Sequence, residues 1–128
     1  CFSGLLKTVL NYIDKKDIEV ISGISSIQIA ASKIKISWED YDILTLHGKE
    51  ENRATLLNLI KNNKKVIFLP SDVKGDIKYL LENGVNPNKK IWICESLTYP
   101  NEKIIYDSLD NILNDKNNIS YFSVCVVD

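Results

Sequence analysis

Four short runs rich in β-branched and aromatic residues punctuate this chain: "YDILTL" at 41–46, "KKVIFLP" at 64–70, "KIWICE" at 90–95 and "ISYFSVCVV" at 119–127. The stretches between them carry apolar residues every three or four positions. Short apolar runs suit strands buried in a sheet, and helical-period stretches supply the layer that covers it. The alternation therefore predicts an α/β layer architecture, and the fold expected is a mixed sheet of about five strands flanked by helices. The length, 128 residues, is that of one domain with a real core.

Individual elements follow from local signals. "FSGLLKTVLNYI" places Phe2, Leu5, Leu6, Val9, Leu10 and Ile13 on one helical face. "IEVIS", 18–22, reads as a strand, and Gly23 after it as a turn residue. Ser25-Ser26-Ile27-Gln28 fits a capping box, with helix through about Lys33. Helices are expected over "NRATLLNLIKNN" and "SDVKGDIKYLLENG", the second capped by Ser71 or Asp72 and stopped by Gly84. "IIY" reads as short and extended, and "DSLDNILND" as a helix. Val20, Ile43, Val66 to Phe68, Ile91 and Val124 to Val126 are the expected core.

Charge and cysteine content remove several classes. A net charge of −1 with mixed signs argues against a nucleic-acid footprint or an anionic-membrane surface. No apolar run approaches the roughly 18 residues of a membrane span, so a cytoplasmic protein is expected. Cys1, Cys94 and Cys125 form no CxxC pair, and Cys94 and Cys125 read as small buried hydrophobes. One histidine cannot build a multi-histidine metal site, and no metal is expected. The chain has no Met and opens Cys1-Phe2-Ser3-Gly4, which suggests a fragment or a processed product.

Chemistry is expected at the strand ends, where ligands of open α/β sheets collect. Four such loops carry polar residues or Gly: Ser22 to Ser26, His47 to Lys49, Pro70 to Asp72, and Glu95 to Thr98. They converge on one rim if their strands run parallel. The Gly23–Ser26 turn offers amide donors at a helix start. His47 reads either as a structural residue or as a ligand contact beside Gly48, with Lys49 and Arg53 as cations for carboxylates. No Ser-His-Asp or Cys-His constellation can be assembled.

The stretch "EVISGISSIQIAASKIKISWEDYDILTLHGK" resembles the pattern P-G-I-S-S-x-Q-x-A-A…W-x-D…S-L-H-G of the corrin C5-methyltransferases, within the tetrapyrrole methylase family. "VIFLPSD", "LLENGVNP" and "IWICESLTYPNEKI" extend the likeness over nearly the whole chain. Ser22 stands where that pattern has Pro, and Pro70-Ser71-Asp72 where it has Thr-Asp. The resemblance implies a two-domain enzyme of cobalamin biosynthesis, with S-adenosylmethionine bound between the domains and methyl transfer to C5 of the corrin ring. It implies that residues 1–22 are the last helix and strand of the amino-terminal domain, or a linker, and that 23–128 form the carboxy-terminal domain.

By that resemblance Ile24, Ser25, Ser26, Leu69, Glu95, Ser96, Leu97 and Thr98 would line the methyl-donor side. His47, Gly48, Lys49 and Arg53 would face the corrinoid, and no general base is named. The implied partners are a precorrin or cobalt-precorrin substrate, the missing amino-terminal domain, a C15-methyltransferase/decarboxylase and a second copy in a homodimer. Alternatives are another precorrin methyltransferase, including a bifunctional one acting on a metal-free precorrin, or a non-catalytic α/β ligand-binding or interaction domain.

Overall fold

The computed structural model describes residues 2–49 and 51–128, with side chains from Leu5 onward; Cys1 lies outside them. Five strands form one sheet: β1 (Asp42–Thr45), β2 (Val66–Leu69), β3 (Lys90–Glu95), β4 (Lys103–Ser108) and β5 (Ser123–Val127), in the order β1-β2-β5-β3-β4. β1 and β2 pair in parallel, with Leu44 opposite Phe68. β5 is antiparallel to both β2 and β3, and β3 is antiparallel to β4. The mixed five-stranded sheet agrees with the expected fold, and "IIY" belongs to a full six-residue strand.

Helices α3 (Asn52–Lys61), α4 (Val73–Glu82) and α5 (Leu109–Asn114) cover one face. Leu56, Ile60, Ile77, Leu80 and Leu109 pack there against Val66, Phe68, Ile91, Ile93 and Cys125. Helix α2 (Ser26–Ile34) covers the other face, where Ala30 meets Ile67, Cys94, Val124 and Val126. Odd and even positions of β3 divide between the two clusters, as the two-residue period of a strand requires. β5 is buried at every position because both its faces are covered and it has neighbours on both sides.

Helix signals hold in detail. The Ser25 Oγ accepts from Gln28 N–H at 3.3 Å while the Gln28 Oε1 accepts from Ser25 N–H at 3.0 Å, completing the capping box. Asp72, rather than Ser71, caps α4 by accepting from Gly75 N–H at 2.9 Å. Gly84 ends that helix at φ +85, a conformation that a side chain disfavours. Cys94 and Cys125 are fully buried.

Two core expectations fail, Val20 and Ile43. Residues 18–25 form no strand; Val20 is 54% exposed and Ile21 86%. An apolar run is only a strand if a neighbouring strand satisfies its backbone, and none lies beside this one among the described residues. Gly23 does not adopt a left-handed φ, so its turn needs no glycine. Ile43 is 48% exposed because β1 is an edge strand, where one side chain in two meets little cover. Helix α1 (Phe2–Val9) precedes this segment with Leu5 60% exposed.

Candidate functional site

Because β1, β2 and β3 point the same way, their carboxyl ends share one edge of the sheet, and the antiparallel β5 begins there. A cavity of about 360 Å³ opens at this edge, on the α2 side, within the range of small-ligand sites. Ser26 comes from the first turn of α2. Thr45 and His47 end β1, Leu69 and Pro70 end β2, and Cys94, Ser96, Leu97 and Tyr99 follow β3. Tyr121, Phe122, Ser123 and Val124 lead into β5.

The wall is mixed in character. Leu69, Pro70, Leu97, Phe122 and Val124 are apolar, and the polar groups are hydroxyls plus one imidazole. No Lys, Arg, Asp or Glu lines it among the described residues. The Tyr121 hydroxyl lies 2.8 Å from His47 Nδ1, with the rings edge-on at 4.9 Å and 68°. Tyr121 also meets Phe122 edge-on at 5.7 Å. Tyr99, Tyr121 and Phe122 stay largely exposed and form an aromatic rim. The Thr45 Oγ1 is buried without a hydrogen-bond partner among the described residues.

Two residues of the loop after β3 adopt left-handed backbone, Ser96 at φ 47 and Thr98 at φ 71. Such conformations cost about 1–3 kcal/mol and collect at ligand sites. Thr98 N–H donates to Glu102 Oε2 at 2.8 Å, and Glu102 in turn accepts from Lys33 at 2.7 Å, tying the loop to α2. The Lys33 hydrogen bond, then that from Thr98, holds the Glu102 carboxyl below the usual range. Burial, then the charge of Glu102, pushes the Cys94 thiol up to about 11. Cys94 is therefore a neutral thiol at physiological pH and no nucleophile. Among the described residues no group of His, Cys, Asp and Glu could hold a metal ion.

The structure thus gathers Ser26, Leu69, Ser96 and Leu97 with His47, which the sequence reading had assigned to the opposite partner. The other expected residues stand apart from the cavity wall. Ile24 is 79% exposed in the segment before α2, and Ser25 is engaged in the cap. Gly48 turns the chain at φ +65, and Lys49 beyond it is exposed. Thr98 lies just past Leu97, outside the wall. Glu95 falls on the other face of the sheet, with Ile91 and Ile93.

Arg53, expected to meet substrate carboxylates, instead pairs with a buried residue of its own chain. Its Nε donates to Asp76 Oδ1 at 2.7 Å and its Nη2 to Ser71 Oγ at 3.1 Å. Asp76, in α4, has a fully buried carboxylate that needs this partner. The signal was available: Asp76 recurs with Val73, Ile77 and Leu80 on the buried stripe of α4, where an acid without a cation would be costly. The reading also missed Thr45, Tyr99, Tyr121 and Phe122. "SYF" looked like the start of a strand, and only the antiparallel direction of β5 puts it at the ligand edge.

A family model described as Tetrapyrrole (Corrin/Porphyrin) Methylases matches residues 1–113. A curated relative from Methanocaldococcus jannaschii, named as a probable cobalt-precorrin-7 C(5)-methyltransferase, is 65% identical over 129 residues. That alignment takes in 100% of this chain and 60% of the relative, so the chain spans less than two thirds of its length. Among solved structures, the precorrin-6Y methylase of cobalamin biosynthesis from Archaeoglobus fulgidus aligns with a TM-score of 0.62 at 21% identity, over 96% of this chain and 55% of that one. The uroporphyrin-III C-methyltransferase of Thermus thermophilus, solved with S-adenosylhomocysteine, aligns with a TM-score of 0.65 at 14% identity, over 98% and 57%. Both solved structures share the fold.

Proposed function

This chain belongs to the tetrapyrrole (corrin/porphyrin) methylases, and from that premise we propose that it is the carboxy-terminal part of a methyltransferase that uses S-adenosylmethionine to methylate a corrin precursor at C5 in cobalamin biosynthesis. The observation that carries this reading is the 65% identity, along the whole chain, to a relative named for that reaction. Residues 23–128 are then the carboxy-terminal domain and residues 1–22 belong to the amino-terminal domain or its linker. The exposed Leu5, Tyr12, Val20 and Ile21 fit a segment with a second surface to pack against.

The chemistry of the cavity supports one half of the site more than the other. A corrin precursor carries many carboxylates and calls for cations, whereas this wall offers hydroxyls, apolar surface and an imidazole. Those groups suit an uncharged heteroaromatic and sugar portion, which is what the adenosine of the methyl donor presents. Ser26, Leu69, Ser96, Leu97, His47 and Tyr121 are the residues that would hold it. Lys49, exposed at the edge of the β1 turn, is left as a cation for the corrinoid.

The donor supplies an electrophilic methyl on sulfonium, and the protein's work is orientation and exclusion of water. The apolar floor of Leu69, Leu97 and Val124 keeps water from one side of the bound group. His47 and Tyr121 fix each other at the rim and offer hydrogen bonds without needing to move a proton. Replacing hydrogen by methyl at the ring carbon turns the sulfonium into a neutral thioether and releases one proton, and no residue of this chain is assigned as its acceptor. The remaining partners carried by the reading are a C15-methyltransferase/decarboxylase and a second copy of the enzyme.

The test is to supply the full-length enzyme with cobalt-precorrin-7 or its metal-free form and S-adenosylmethionine labelled in the methyl group. Label at C5 is expected; transfer to another ring position, or none, would refute the reading. The 128 residues alone should bind S-adenosylhomocysteine weakly and turn nothing over.

A further inference from the structure

We infer that Glu95 is a positioning residue, acting through the backbone of Ser120 to hold Tyr121 and Phe122 in the cavity wall; the link to ligand binding rests on the donor-site reading above.

Glu95 is only 7% exposed and ends β3 on the face away from the cavity. Its Oε2 accepts from Ser120 N–H at 2.7 Å, a contact between residues 25 apart in sequence. Ser120 is the knot of the loop entering β5. Its carbonyl accepts from Ser123 Oγ at 2.5 Å, and its Oγ accepts from Phe122 N–H at 3.2 Å. Ser96, next to Glu95, closes the ring by donating its N–H to the Phe122 carbonyl at 2.8 Å. Tyr121 sits inside this ring of bonds and reaches His47 with its hydroxyl.

A carboxylate is a costly way to satisfy one amide, and its other oxygen has no hydrogen-bond partner among the described residues. Length rather than charge explains the choice. Asp would stop short of Ser120, while Gln reaches it and places its amide nitrogen where Oε1 already lies unpaired. The direct readings of Glu95 fail on geometry: its side chain does not line the cavity, and its hydrogen-bond partner among the described residues is Ser120.

Three variants of the full-length enzyme, Glu95→Gln, Glu95→Asp and the isosteric Glu95→Met, separate reach from charge. The probe is S-adenosylhomocysteine, measured by calorimetry, alongside amide hydrogen exchange at Ser120. Glu95→Gln should bind within about threefold of the unaltered enzyme, whereas Glu95→Asp and Glu95→Met should each lose about tenfold, the worth of one hydrogen bond to a fixed amide. Ser120 should lose its protection in Asp and Met only, and the KM for the donor should rise more than kcat falls.

Equal losses in Gln and Asp, or unchanged affinity in Asp and Met once Ser120 is unprotected, would overturn the inference. Glu95→Met carries the decision if Glu95→Asp fails to fold. Absence of S-adenosylhomocysteine binding by the unaltered enzyme, with the exchange pattern as expected, would bring down the reading of the cavity while the hold of Glu95 on the loop stood.

Discussion

Asp76→Asn is the substitution whose cost the structure defines best. The change keeps volume and shape, so no cavity opens and the loss is electrostatic. The Asp76 carboxylate accepts four hydrogen bonds with its side chain fully buried. Arg53 Nε and Ser71 Oγ meet Oδ1 at 2.7 and 3.0 Å, while Ser71 N–H and Asp72 N–H meet Oδ2 at 2.9 and 3.3 Å. An amide has one acceptor oxygen, so one pair of donors must face an NH₂ group whichever way it turns. Two bonds to a charged group at about 1.5–3 kcal/mol each would give roughly 3–6 kcal/mol. Breaking one partner from a buried ion pair costs about 3–5 kcal/mol by a separate route. Arg53 is one-quarter exposed and can recover some water, which favours the low end, about 3 kcal/mol. At this chain length that is a fall in Tm of about 10 °C. Urea titration followed by circular dichroism measures it, with Lys78→Met, at the exposed Lys78–Glu82 pair, as a control expected to change stability by less than about 0.5 kcal/mol. A loss below about 1 kcal/mol for Asp76→Asn would show that Arg53 is no structural partner and would return it to the substrate side.

Other expectations can be checked alongside. His47→Ala should lower corrinoid turnover in the full-length enzyme and weaken S-adenosylhomocysteine binding, with little change in Tm, because the ring is exposed; a large loss of Tm with normal turnover would make it a structural histidine. Thr98→Asn, at φ 71, should stabilise the chain by up to about 1 kcal/mol in the same urea assay, since Asn tolerates left-handed backbone better than a β-branched residue. Burial raises the Cys94 thiol to about 11 and the Cys125 thiol well above its ordinary value. A raised folded pKa stabilises below the unfolded value near 9 and loses that contribution as pH rises through the folded one. Tm should thus decline between about pH 9 and 11, less steeply in Cys94→Ala, and an identical decline in that variant would refute the assignment. Glu102 carries the opposite sign: its lowered pKa gives stability present above the unfolded value and lost as pH falls through the folded one, and Lys33→Met should raise its midpoint in a carboxyl NMR titration.

The elements themselves were legible because their signals are local. Ser25 and Gln28 close a capping box within one turn, Pro70 ends β2 at its own position, and Gly84 stops α4 with a backbone angle that few other residues accept. Runs such as "VIFL" are buried wherever the sheet forms, so the α/β layers followed from pattern alone. Partnership across the fold was not legible. "IEVIS" has the composition of a strand and Ile43 the look of a core residue, but burial depends on which neighbours arrive, and neither has enough of them. Arg53 reads as a cation for substrate carboxylates until α3 and α4 pack and bring Asp76 to it. The site divides in the same way. Ser26, Ser96 and Leu97 fall in loops marked by strand-end position, and Leu69 was implied by the family resemblance, whereas Tyr121 and Phe122 reach the cavity only because β5 inserts between β2 and β3 antiparallel to both. Strand direction is a property of the assembled sheet: a run of Val and Cys is equally apolar read either way, and only its hydrogen-bonded neighbours choose the direction.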